Sequence, residues 1–275
     1  MAWMMVVKKE SQSSTPSPQP LSGRAMTWTV LMKKEFLEQL RTHRLTVMAV
    51  AFVFFGLSSP LMAKLLPELV KATAGEMAIQ LPPPTALFAL DQYLKNLTQM
   101  GLLVVVLTAM GSIAGERERG TAAMTLCKPV SRVAFVGSKF LAYSALLALG
   151  LALSAVSCYY YTAILFERLD PLAFAAATAL LGLYLLVILS VTLLASAIFR
   201  STLAAGGLAF GLALAVSLVG SLPGIEQYGP AALVAWGRTL ISGVGPVAWP
   251  ALFVSLGLVV LCAVVAWAVF RRHEI

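Results

Sequence analysis

An all-α, polytopic membrane protein is the fold class this sequence predicts, with six transmembrane helices behind an N-terminal amphipathic interfacial helix. Three observations carry that expectation. Of the 275 residues, 59% are apolar and only 12% charged, about half the charged fraction of an ordinary soluble domain, and the mean hydropathy is +0.87. The apolar residues gather into several long blocks rather than one, which excludes a single-pass anchor on a soluble domain. The blocks are continuously apolar, without the alternation of a lipid-facing strand, so they read as helices and not as a barrel.

The chain opens with a segment, 1–24, containing SQSSTPSPQP, whose composition cannot bury enough apolar area to offset its ordering entropy. It reads as a disordered cytoplasmic tail, dispensable for insertion and partner binding, with Met26 as a second possible start. Its apolar opening, 1–7, is too short for a signal-peptide core and precedes its basic residues instead of following them. Residues 25–44 follow as the amphipathic helix. Trp28, Met32, Phe36 and Leu40 recur every four residues, while Lys34, Glu35, Glu38, Arg41 and Arg44 fill most of the opposite arc. Such a stripe suits a helix lying in the membrane interface; a cytoplasmic extension of the first span fits it too.

The six-helix permease domain occupies 45–275. A helix needs about 20 apolar residues to cross the hydrocarbon, and uncharged runs of that order lie at 45–63, 97–114, 140–166, 171–199, 202–222 and 249–270. Six spans place both termini on one side. Of the 20 basic residues only Lys64, Lys71, Lys95, Arg168 and Arg238 fall on the side opposite the termini, so the positive-inside rule makes both termini cytoplasmic. The net charge of +8 is accounted for by orientation, and no nucleic-acid partner is implied. Cys127, Cys158 and Cys262 share no spacing motif, so neither a disulfide framework nor a metal site is expected.

Three connections carry more than topology. The inner loop 115–139 reads GERERGTAAMTLCKPVSRVAFVGSK and holds the densest charge in the chain. Glu116 and Arg119 stand at the spacing of a pair on one helical turn, and Lys128-Pro129 breaks the chain before a second short helix led by Ser131. Surface pairs there are expected to contribute only about 0–1 kcal/mol to folding, and charge alone fits equally a solvated loop that merely enforces topology. The outer connection 223–247 is too apolar for an exposed loop and reads as a re-entrant segment of short helices. The other outer loop, 64–91, contains LPPP and reads as a surface loop.

The glycine and acidic-basic cluster, the following Gly-Thr, the Pro-Val-Ser-Arg stretch and the GSKFLA that leads into the third span together resemble the permease subunit of ABC-2 type transporters. The resemblance runs from Met26 to the end, with its specific part at 115–142. It implies a coupling helix resting on a separate ATP-binding subunit, with Glu116, Arg117, Glu118, Arg119, Gly120 and Thr121 at that contact and ATP and Mg held by the partner. It also implies a second permease copy, identical or related, and residence in a bacterial or archaeal cytoplasmic membrane. Gly207, Gly211 and Ala215 form a small-residue face at four-residue intervals, suited to packing within the subunit, which is the expectation, or to a dimer.

No G-x-x-x-x-G-K-[ST] phosphate loop, H-E-x-x-H or G-x-S-x-G occurs, and the only histidines are His43 and His273, so the chain is expected not to be an enzyme. No span core carries a charge, which disfavours an ion pump. A path lined by Gln99, Thr108, Ser144, Ser154, Ser157 and the tyrosines 159–161 would suit export of an amphiphilic or hydrophobic solute. The alternative is a membrane scaffold or signalling partner of an ATPase that moves nothing.

Overall fold

The computed structural model describes residues 22–74, 85–121 and 132–272 apart from 221, 223, 244 and 246, with side chains described except at 22–27, 67–74, 219 and 272. All regular structure among them is helical. In chain order the helices are α1 (Ser22–Arg41), α2 (Arg44–Ala74), α3 (Ala86–Asn96), a π-helical turn (Leu97–Gly101), α4 (Leu102–Ala109), α5 (Ala114–Glu118), α6 (Arg132–Leu165), α7 (Pro171–Ile198), α8 (Thr202–Val219), a 3-10 turn (Glu226–Tyr228), α9 (Ala231–Ser242) and α10 (Trp249–Arg272).

Five stretches are long and apolar enough to cross a bilayer: Arg44–Leu66, Ala86–Glu118, Arg132–Leu165, Pro171–Ile198 and Trp249–Arg271. They match five of the six expected runs. The run expected at 202–222 folds as the shorter α8, whose 18 residues rise about 27 Å. Three spans reach further than the uncharged runs did, α2 continuing past residue 63 to Ala74. α3 extends the second span outward to Ala86, capped by Thr85, whose Oγ1 accepts the Phe88 N–H at 3.3 Å. α6 begins at Arg132, so the second short helix expected inside the inner loop is the first two turns of the third span.

α7 is the hub of the bundle. Its Leu181, Tyr184, Leu185, Ile188 and Leu189 belong to one core cluster with Met48 and Phe52 of α2, Leu94 of α3, Val105 of α4 and Tyr143 and Leu147 of α6. α2 and α6 run in close contact because glycine stands where they meet. A Cβ on Gly56 would lie 2.6 Å from the backbone oxygen of Ser154. The segment expected to be re-entrant contains α9, which lays Leu233, Trp236 and Gly237 against α7, with Gly237 facing Ala177. The LPPP of the other outer loop lies outside the described residues, as do the tail through residue 21 and Cys127.

α1 turns into α2 through Thr42 and His43, the latter in the left-handed region at φ 57°. Its inward face is not the apolar stripe. Leu31, Glu35 and Gln39 are buried, whereas Phe36 and Leu40 are more than 40% exposed. Trp28 of the stripe does pack inward, closing on Gly137 of α6.

Candidate functional site

The charged loop closes on the bundle where α1, α5 and α6 meet. Lys139, one turn after Phe135, is 1% exposed. Its Nζ donates to Glu35 Oε2 at 3.0 Å and Oε1 at 3.2 Å from α1, and to Glu116 Oε1 at 2.7 Å from α5. An ammonium this deeply buried is tolerable only when carboxylates surround it, and two do. Glu38 and the half-exposed Lys34 complete the cluster, Lys34 lying 3.4, 3.8 and 3.6 Å from Glu35, Glu38 and Glu116. One oxygen from each of Glu35, Glu38 and Glu116 lies within 4.8 Å of the others; the Lys139 ammonium bridges Glu35 and Glu116, and Lys34 pairs with all three. Gln39 Nε2 and Oε1 and Glu116 Oε2 are buried without a protein hydrogen-bond partner. One turn along α6 from Lys139, the Tyr143 hydroxyl accepts from Arg44 at the start of α2.

The rest of the GERER sequence ties the loop to the remaining spans, one residue at a time. Arg117 donates to the Ala197 carbonyl at 2.8 Å, at the C-terminal end of α7 where a cation meets the negative end of the helix dipole. Its guanidinium also sits 5.1 Å from the Phe270 ring centroid of α10. Phe270 stacks on Phe135 at 5.1 Å, and Phe135 faces Lys139 at 5.0 Å. Glu118 Oε2 accepts from the Thr202 N–H at 3.2 Å and its hydroxyl at 2.7 Å. It thereby occupies the N-terminus of α8, where Ser201 makes no side-chain cap and a carboxylate is favoured. The first amides of α5 are satisfied by Ser196 of α7, whose Oγ accepts from Ile113 and Ala114 at 3.0 and 2.9 Å. Gly120, at φ 71°, ends the turn in a conformation that glycine adopts without strain.

Two expectations change here. Glu116 was expected on the surface facing Arg119. It is 4% exposed and bonded to Lys139, while Arg119 Nε turns back to the Gly115 carbonyl at 3.0 Å. The surface-pair magnitude therefore does not apply to Glu116. Glu118, Arg119, Gly120 and Thr121 are exposed, and Arg117 is half-buried. The small-residue face also lacks the expected intrasubunit role: Gly207, Gly211 and Ala215 are exposed, and a Cβ on either glycine would meet nothing within 4 Å. α8 packs inward through Ala205, Ala209 and Ala213 instead.

The polar side chains expected to line a path do not converge. Thr108 and Ser157 bond carbonyls of their own helices, and Tyr159 bonds the Leu169 carbonyl. Ser144 and Tyr160 border adjacent cavities that share Ala155 and Ala175, and Gln99 borders a third elsewhere. Sequence reasoning counted Lys139 only as a topological charge and missed its burial. The signal was present in Leu31, Glu35 and Gln39, which share one helical face, and in a lysine heading a long uncharged run.

A multi-pass helical membrane protein in which one charged loop is wired into nearly every span is the class that fold and site define. The chain belongs to the ABC-2 family of transporter proteins, whose family profile matches residues 29–275. It is also 30% identical over 252 residues to an uncharacterized transmembrane protein of Bacillus subtilis (strain 168), YxlG, an alignment covering 89% of this chain and 97% of that relative. Membership makes this chain a component of membrane transport, in a family that generally associates with an ATP-binding subunit.

Proposed function

We propose that the chain is the permease subunit of an ATP-binding-cassette exporter that moves an amphiphilic or hydrophobic solute outward across a bacterial or archaeal cytoplasmic membrane. α8 is the fifth of six spans, α1 lies in the inner interface with Phe36 and Leu40 toward lipid, and both termini are cytoplasmic. A separate ATPase subunit binds ATP and Mg and docks on the exposed tip at 118–121. A second permease copy packs on the open face of α8.

The observation that carries the reading is the contrast between the tip and the root of one short segment. Arg119, Gly120 and Thr121 are exposed at the surface, with the exposed Glu118 joining them to the root. Glu116, Arg117 and Glu118 meanwhile contact α1, α6, α7, α8 and α10 through ionic and hydrogen bonds and the Phe270 ring. A displacement imposed at the tip therefore reaches those helices as rigid-body motion, because each connection is a short directional contact and not a flexible linker. Arg119→Glu tests docking while leaving the contacts of Glu116 and Arg117 in place, since Arg119 Nε bonds the Gly115 carbonyl of its own turn. Expression, melting and helix content of the isolated permease should be unchanged. Co-purification of the ATPase should weaken, as a truncated charge pair across an interface costs about 2–5 kcal/mol. Normal ATPase binding and parental transport by this variant would reduce the loop to a topological anchor.

A further inference from the structure

Between α6 and α10, beside the ionic cluster, lies a cleft of about 480 Å3, within the ~300–1,000 Å3 range of small-ligand sites. Val133, Gly137 and Phe140 form one wall and Val260, Val264 and Trp267 the other. The only hydroxyl among the described residues of its walls, that of Ser190, is spent on the Leu186 carbonyl of its own helix. The cleft opens outward, since Val133, Val260 and Val264 are each more than half exposed.

One end of this apolar cleft is marked by positive charge. Arg132, adjacent to Val133, donates from Nη1 to the Phe270 and Arg271 carbonyls and so stands at the C-terminus of α10. The Arg271 guanidinium lies 5.7 Å from the Trp267 ring centroid, a contact that uses none of its five N–H donors. Trp28 reaches the same region, its ring against Gly137. Neither α6 nor α10 carries an acidic residue. Two guanidinium groups and two indoles around the end of an apolar slot match an anionic headgroup joined to a hydrocarbon chain, with the rings at interface depth.

We infer that the cleft is a binding site for one anionic phospholipid of the surrounding bilayer. An acyl chain lies between α6 and α10, and the phosphate accepts from Arg132 and Arg271. Such a lipid is resident: it wedges α10 against α6 beside Phe270, the residue that also carries Arg117, and so supports the helix on which the charged loop rests. The site lies away from the exposed tip and does not depend on the proposed transport activity.

The test is native mass spectrometry of the delipidated full chain in mild detergent, titrated separately with phosphatidylglycerol and phosphatidylcholine. One phosphatidylglycerol should be retained with a preference of roughly twenty- to thirtyfold, about fivefold for each of two basic side chains. Arg271→Gln, at an exposed position, should lower that preference to roughly fivefold. Ala263→Phe, which fills the middle of the cleft from α10, should abolish retention of both lipids; circular dichroism and a monodisperse elution profile identify the folded variants. Equal retention of the two lipids by the parent, an undiminished preference in Arg271→Gln, or self-association of a lipid-free chain that covers the cleft would each overturn the assignment.

Discussion

Removing the Lys139 ammonium tests whether the ionic cluster holds the loop to the bundle. In Lys139→Met the side chain keeps most of its volume, but Glu35 and Glu116 lose the group that lies 3.0 and 2.7 Å from their oxygens. Their side chains are 3% and 5% exposed, so water cannot take over. Two carboxylates with oxygens no more than 4.8 Å apart repel by about 3 kcal/mol at an effective dielectric of 20. That agrees with the ~3–5 kcal/mol cost of breaking a buried ion pair from one side. Lys34 offsets part of the loss, yet at 40% exposure its contribution is screened, which places the expected destabilisation near 3 kcal/mol. Titration with sodium dodecyl sulfate in mixed micelles, followed by far-ultraviolet circular dichroism, measures it. The triple variant Glu35→Gln, Lys139→Met, Glu116→Gln orphans no charge and should recover to within about 1 kcal/mol of the parent. A single Lys139→Met variant as stable as the parent would refute the buried cluster, and a triple variant no better than the single would refute its electrostatic origin.

Replacing Gly56 with alanine brings a methyl 2.6 Å from the Ser154 backbone oxygen and should cost about 1–3 kcal/mol by the same titration; adding Ser154→Ala should not rescue it, because the obstructing atom is main chain. Gly207→Leu with Gly211→Leu should leave the fold intact, since both positions open on free space, but should shift a permease dimer to monomer in sedimentation velocity. In a cysteine-free background, single cysteines at Ser131 and Gln227 should label from opposite sides of sealed cells; labelling of both by an impermeant reagent from outside would overturn the topology.

The spans were legible because hydrocarbon imposes a simple rule on sequence, a long uncharged run, and five such runs fold as long helices at nearly those places. The rule stops at a charge whether or not the helix does. That is why α3, with Asp91 and Lys95, and the first turns of α6, with Arg132 and Lys139, were read as loop. The candidate loop was located by its charge density, but the division of labour within it was not. A glutamate whose partner stands 23 residues on in the chain looks the same in sequence as one facing solvent, and only the packing of α1 against α6 tells them apart. For the same reason the apolar stripe of α1 marked the correct helix while a polar face, Glu35 and Gln39, met the protein.

α8 has a consequence for the bilayer itself. Its 18 residues span about 27 Å, some 3 Å less than the usual hydrocarbon thickness of ~30 Å, and Leu203, Leu214 and Leu218 face outward from it. By contrast, α6 runs for 34 residues and has length to spare. With α8 as the proposed fifth span, lipid would shorten its chains on that side of the molecule and not on the α6 side. Hydrophobic mismatch of this kind costs a fraction of a kcal/mol per ångström, enough to give the protein a preferred membrane thickness and to draw together the surfaces around which the bilayer is thinned.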